Sequence, residues 1–251
     1  MEQLTFTRFL NQLFGPAVTA LLEKLGIHPA HPTHPINNPL AMELLVVVLL
    51  TIFFIVVRLR LSVEKPGEAQ HIMEAIHEFI SNMADEIIGH RSARFVPYLV
   101  VLGLFILSCN LIGIVPGLES PTAVPYVPLG CALLTWFYYH FAGLRENGPF
   151  GYLKHFIGPQ EGMPLAVKMF LPILVFPIEI FSHAARVLSL TVRLFANMFA
   201  GEMVTLVFFS LIPIGLPVVF EGLHIGVSFI QTYIFVLLPA VYLGEAMAHE
   251  H

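Results

Sequence analysis

The sequence predicts an all-α protein that crosses a membrane several times, and three observations predict it. Hydrophobic residues make up 57% of the chain and charged residues only 12%, with a mean hydropathy of +0.80, where a soluble domain carries about 25% charged residues. Apolar runs recur over roughly 40–57, 95–118, 127–144, 169–212 and 218–243. The few charges gather between those runs or stand alone inside them. Without water to satisfy backbone N–H and C=O groups, a segment crossing a bilayer closes its hydrogen bonds internally, so runs of this length read as helices. The net charge of −5 argues against nucleic-acid binding. Cys109 and Cys131 lie within apolar runs and read as small buried hydrophobes rather than a disulfide.

The elements follow in order. Residues 4–25 place Leu4, Phe9, Leu13, Val18, Leu21 and Leu25 at helical spacing, interrupted by Gly15-Pro16, which suggests a short pair of interfacial helices. Glu2, Gln3, Thr5, Thr7 and Arg8 break up the apolar core that a signal peptide needs. His28, His31 and His34 recur every third residue among prolines; such a stretch is an extended linker, with weak metal binding as the alternative. Residues 1–39 form an extracytoplasmic N-terminal segment, and 40–251 a single membrane-embedded helical domain.

The first span, 40–57, ends at Arg58 and Arg60. Residues 66–89 are amphipathic, with Ile72, Ile76, Phe79, Ile80, Met83 and Ile87 on one face and Glu68, Glu74, Glu78, Asp85 and Glu86 on the other. They form a surface helix that either meets protein partners or presents a solvated face. The second and third spans cover 95–118 and 127–144, and a polar connection runs from 145 to 168. Residues 169–212 would make a helix roughly 66 Å long, about twice the thickness of a bilayer core. It must tilt, bend or split, and Pro172 and Pro177 offer a break near its start. Pro213-Ile214-Gly215-Leu216-Pro217 makes a turn into the last span, 218–243, so the chain closes with a long tilted helical hairpin.

Lys and Arg set the orientation. Connection 58–94 holds Arg58, Arg60, Lys65, Arg91 and Arg94, and 145–168 holds Arg145, Lys154 and Lys168, while 118–127 and 213–223 hold none. Positive connections stay inside. About five crossings then leave the N-terminus outside and the C-terminus in the cytoplasm.

The residues that carry chemistry sit in the last two spans. Between Met169 and Ile212 the formal charges are Glu179, Arg186, Arg193 and Glu202. An arginine cannot shed its charge, and placing one at mid-membrane costs about 2.5–3.5 kcal/mol on insertion scales. Arg193 lies too far from either end of its span to snorkel. At 100° per residue, Glu179, Ser182, Arg186, Ser189 and Asn197 fall within roughly 40° of Arg193, and Glu202 lies about 180° away. In the last span His224, Ser228 and Gln231 share a face that Glu245 continues. Buried imidazoles and carboxylates are the side chains that relay protons. The pattern reads as two aqueous routes converging on an arginine, each single polar residue having a satisfied buried group as its alternative.

The run Ser189–Glu202, containing Arg193-Leu194-Phe195, Asn197-Met198 and Ala200-Gly201-Glu202, resembles the signature of subunit a of bacterial F-type ATP synthases. The resemblance extends to His224 and Gln231, to Tyr242-Leu243-Gly244-Glu245 and, more weakly, to Asn110–Pro116. It implies a stator proton channel of the cell inner membrane that works against a ring of c subunits and joins b-type stalk subunits. Arg193 matches the family's arginine, Glu202 and His224 the outer half-channel, Asn197 and Gln231 polar neighbours of the arginine, and Glu179 the inner half-channel, beside Arg186. Two departures stand out: Val124 and Tyr126 replace an acid and an amide of the family pattern, and Gly113 stands where many members carry Asp. No catalysis, cofactor, metal or bound nucleotide is expected, since no P-loop is present. The competing class is a stand-alone transporter or ion channel, which usually shows internal repeats that this chain lacks.

Overall fold

The computed structural model describes residues 3–26, 34–89, 91–115, 117–155, 165–212 and 215–247. Within them the architecture is all-helical: α1 (Thr5–Lys24), α2 (Asn38–Leu59), α3 (Glu68–Ile88), α4 (Val96–Leu111), α5 (Tyr126–His155), α6 (Leu165–Leu211) and α7 (Leu216–Met247). Short 3-10 turns occupy Ser92–Arg94, Ile112–Ile114 and Pro121–Ala123. The chain forms two compact units. The first holds Met1–His71, Leu104–Val124 and Ala196–Ile230, and the second Ile72–Gly103, Pro125–Phe195 and Gln231–His251.

Local rules account for the helix ends. Asn37 caps α2, its side chain accepting a hydrogen bond from the Leu40 N–H at 3.0 Å, with Pro39 in the first turn where its missing N–H costs nothing. Gly215, at φ +93, makes the turn that opens α7. The amphipathic segment is helical over Glu68–Ile88, close to the expected 66–89.

Two expectations, for α1 and for the end of α5, are corrected. Residues 5–24 form one helix with Pro16 inside it, not a broken pair. A proline removes one N–H, and here the buried Thr7, Asn11 and Gly15 face holds the helix together. Of the tilt, bend or split open to it, α6 does not split: it runs on through Pro172 and Pro177. The segment 127–144 is helical, as expected, but α5 continues to His155 through a kink at Gly148 (φ +68). Among the described residues, four helices are long and apolar enough to cross a membrane: Asn38–Leu59, Val96–Ile114, Phe170–Leu211 and Leu216–Met247. Trp136, Tyr138, Tyr139 and His140 dilute the apolar character of α5 at its centre. His28 and His31 lie outside the described residues. Both cysteines are free and buried, as expected.

In the first unit, α1 and α2 are joined by amide chemistry over an apolar patch. Ile36, Ala41 and Met42 are buried against Leu4, Phe6, Leu10 and Val18. The Asn11 side-chain amide donates to the Ile36 carbonyl at 2.8 Å, and the Ile36 N–H donates back to the Asn11 amide oxygen at 3.0 Å. Asn38 accepts from the Leu4 N–H at 3.2 Å and donates to Glu119 at 3.4 Å. In the second unit small residues allow close approach: Gly103 meets Val236, Gly143 meets Tyr152 and Ala246, and Gly244 meets the Ile87 carbonyl. Arg94 holds Glu146 at 2.8 Å, and Arg91 joins the same carboxylate.

Asn11→Ala removes both partners of the buried Ile36 backbone, and each orphaned group costs about 1–3 kcal/mol. Protease should therefore remove the first helix from the solubilised protein faster than in wild type. Cleavage at the wild-type rate contradicts this account of how α1 is held.

Candidate functional site

The unbroken α6 decides how the central stripe is presented. On a continuous helix, residues three or four apart lie one above the other. Glu179, Ser182, Arg186, Ser189 and Arg193 therefore follow a single line in the second unit. Asn197, half-buried, is the next position of that spacing on α6. Arg193 is exposed, and so are Leu188 and Val192 beside it on the same helix. Its guanidinium donates to the Ser189 hydroxyl at 3.4 Å. Among the described residues no carboxylate pairs with it. Gln231, on α7, is buried.

In the first unit a second set of polar groups surrounds Glu202. The Ser120 backbone N–H donates to the Glu202 carboxylate at 3.0 Å. The Ser120 hydroxyl donates to the Cys109 carbonyl at 2.7 Å and lies 3.0 Å from the Thr122 hydroxyl, which donates to Asn110 at 2.7 Å. Asn110 reaches the Ser228 carbonyl of α7 at 3.5 Å. His224 is buried with its ring against Gly201, where an added Cβ would overlap the imidazole. Gly113 faces Ser120, and an added Cβ would stand 3.2 Å from a Glu202 carboxylate oxygen. The missing side chain at Gly113 thus leaves the space that Ser120 and Glu202 fill. His224 packs beside the residue that precedes Glu202, and no direct hydrogen bond or ion pair joins His224 to Glu202 among the described residues. Ser228 donates to the His224 carbonyl at 2.8 Å within α7.

The second unit holds a different cluster. Arg186 pairs with Glu245 at 2.7 Å and lies 4.8 Å over the Tyr242 ring. Glu179 stands 3.7 Å from His183 Nε2. The other ring nitrogen of His183, Nδ1, shares a hydrogen bond of 2.7 Å with the Tyr139 hydroxyl. His140 Nδ1 shares one of 2.6 Å with the Tyr152 hydroxyl, and the rings of His140 and His183 are 4.6 Å apart. The pairing of Arg186 with Glu245 and the stacking of Phe208 on Phe220 at 4.4 Å, each within its own unit, bring α6 and α7 together as the expected hairpin.

A family model described as ATP synthase A chain matches residues 40–244. This chain belongs to that family. It is 58% identical over 250 residues to ATP synthase subunit a of Koribacter versatilis (strain Ellin345), covering 100% of this chain and 99% of that protein. It is 46% identical over 241 residues to ATP synthase subunit a of Solibacter usitatus (strain Ellin6076), covering 96% and 99%. A third relative, ATP synthase subunit a of Sulfurihydrogenibium sp. (strain YO3AOP1), is 40% identical over 216 residues, covering 84% and 100%.

Of the residues singled out by spacing, Arg186 and Glu245 meet directly, and Arg193 meets Ser189. Sequence reasoning missed Ser120, Tyr139, His140, Tyr152 and His183 as partners. His183 carried a signal, since it follows Glu179 by four residues and so shares its side of α6. Ser120 carried none, because its donor to Glu202 is a backbone N–H that every residue except proline possesses.

The close fit of His224 on Gly201 is directly testable. Gly201→Ala should lower thermal stability by about 1–3 kcal/mol, the usual cost of overpacking. His224→Ala should relieve most of that cost in the double variant, because the two substitutions share one space. Strictly additive losses in thermal unfolding contradict the packing described.

Proposed function

We propose that this multi-pass membrane protein, a membrane-sector subunit of an F-type ATP synthase serving ATP synthesis by proton transport, forms the stator half of the proton path. Two half-channels would pass protons to and from carboxylates on a ring of c subunits, coupling proton flow to rotation. Arg193 carries this reading. Its charge is permanent, it is exposed on a helix apolar enough to span a bilayer, and its own chain supplies no carboxylate for it among the described residues. A charge in that setting needs a partner from outside, and a ring of passing carboxylates supplies one.

In this mechanism Glu202 and His224 belong to the outer route, by which a proton reaches the ring. Glu179 belongs to the inner route, with Arg186, Ser189 and Glu245 lining it, and Asn197 and Gln231 steady the arginine. Arg193 carries no proton. It pairs with a ring carboxylate only while that group is ionised, so the ring discharges as it passes, and the fixed charge blocks a direct leak between routes. The chain itself catalyses no bond change and holds no nucleotide. Its remaining partners are b-type stalk subunits and the lipid of the bacterial inner membrane. The proposed orientation puts the N-terminal segment, 1–39, outside and the C-terminus in the cytoplasm. The uneven sharing of Lys and Arg among the connections supports it.

Arg193→Ala should abolish both ATP-driven proton pumping and proton-driven synthesis in an assembled complex, and should admit a passive leak. Arg193→Lys should stay badly impaired, because an ammonium lacks the planar fork and loses its proton when desolvated. Near-normal pumping by an assembled Arg193→Ala complex overturns the mechanism.

Glu202→Leu should severely reduce synthesis, with His224→Glu better tolerated than His224→Leu because it keeps a proton-carrying group. For orientation, single cysteines replacing Glu119 and Glu221 should react with a membrane-impermeant maleimide from outside the cell. Labelling of both from the cytoplasmic side alone reverses the topology.

A further inference from the structure

The last turn of α7 is clasped by polar groups of the second unit that the mechanism above leaves without a task. A helix leaves its last four carbonyls without partners inside it. At this end the Asn147 side-chain amide donates to the Ala246 carbonyl at 3.0 Å. Asn147 comes from α5, just before its kink at Gly148. Its neighbour Glu146 holds Arg94 at 2.8 Å and also joins Arg91. The same nitrogen of Arg94 lies 3.2 Å from the Met247 sulfur, so one guanidinium touches both α5 and α7. Two glycines set how near the backbones come. A Cβ at Gly244 would stand 3.0 Å from the Ile87 carbonyl of α3, and one at Gly143 would stand 3.1 Å from the Ala246 carbonyl.

Glu245 lies between these clasped residues. Its carboxylate pairs with Arg186 at 2.7 Å, and Tyr242, one turn earlier on α7, sets its ring 4.8 Å from the same guanidinium. Glu245 is exposed. An exposed ion pair is weak, because two long side chains must be held in one geometry against their freedom to move. A backbone fixed on either side of Glu245 removes part of that cost. Arg186 and Arg193 stand on one stripe, seven residues and so about 10 Å apart along α6. A passing ring carboxylate that meets Arg193 would be drawn to Arg186 as well if that charge were left open. We propose that Glu146 and Asn147 are positioning residues for the inner route: they clasp the end of α7 so that Glu245 and Tyr242 stay on Arg186 and keep its charge from the ring carboxylates. The proposal rests on the reading of Arg186 and Glu245 as lining that route. Neither Glu146 nor Asn147 touches the ring or carries a proton; each acts through the place it gives to Glu245.

The test uses the assembled ATP synthase in liposomes and the initial rate of ATP-driven proton pumping. Asn147→Ala removes the donor to the Ala246 carbonyl, and Glu146→Gln removes the charge that both arginines share. Each should slow pumping by about two- to tenfold, the scale of one lost hydrogen bond. Glu245→Gln should slow it at least as much. The deciding comparison is the double variant. Asn147 and Glu146 act through Glu245, so neither substitution should cause a further loss in a Glu245→Gln background. A side chain that only packs would cost the same factor in both backgrounds, and that result overturns the proposal. Wild-type pumping by both Asn147→Ala and Glu146→Gln, with Glu245→Gln impaired, overturns it too and leaves the inner-route reading standing. Wild-type pumping by Glu245→Gln removes Glu245 from the inner route, and the proposal falls with that reading. Should Asn147→Ala not assemble, the same comparison made with Glu146→Gln decides.

Discussion

The constraint on which the rest depends is the permanent charge of Arg193. A carboxylate or an imidazole can enter an apolar setting by changing its protonation state, but a guanidinium cannot. It must be solvated by water, by neutral dipoles or by an opposite charge. Within the chain, Arg193 has the Ser189 hydroxyl at 3.4 Å, a neutral dipole that offers far less than an anion. It projects from a helix whose exposed surface is largely aliphatic and aromatic. The contrast with Arg186 is informative. Arg186 lies on the same stripe, yet Glu245 neutralises it at 2.7 Å and the Tyr242 ring covers it. One helix thus carries an arginine paired with a carboxylate of its own chain and an arginine that, among the described residues, has none. That difference supports separate roles for two residues that look alike in sequence.

The remaining polar groups of the helices are arranged so that few stand alone, because an unpaired polar group away from water costs more than a formed hydrogen bond returns. In the first unit, Ser120, Thr122 and Asn110 satisfy one another, and the Ser120 backbone N–H serves Glu202. In the second, phenols and imidazoles pair, Tyr139 with His183 and Tyr152 with His140. Glycines create the room. Gly201 leaves a place for the His224 ring, and Gly113 leaves one for Ser120 beside the Glu202 carboxylate. At Gly113 the absence of a side chain is therefore matched by close packing around Glu202.

Much of the architecture was legible in the sequence because it depends on residue type and period. Apolar runs of bilayer length predicted the helices, the 3.6-residue repeat predicted the α6 stripe and the amphipathic α3, and the run Ser189–Glu202 carried the family. Proline rules misled at Pro16, where the helix continues. A single lost N–H is a local cost, and burial of neighbouring residues offsets it. The helix expected at 127–144 is present, and Tyr139 and His140 near the middle of α5 hydrogen-bond to His183 and Tyr152.

What the sequence determined by itself was the set of helices, the placement of charge along them, and the family. Those follow from side-chain chemistry read at fixed intervals. Tertiary structure alone decided which groups meet. The Ser120 backbone N–H is not distinguishable in sequence from any other, yet it is the donor that reaches Glu202. Tyr139 and His183 lie on different helices, and nothing in their spacing announces that they share a hydrogen bond. Arg186 and Arg193 have the same side chain on the same face, and only the approach of α7 gives Glu245 to one and not the other. Pairing across helices depends on where backbones pack, and packing is a property of all the side chains at an interface together, so no single position encodes it.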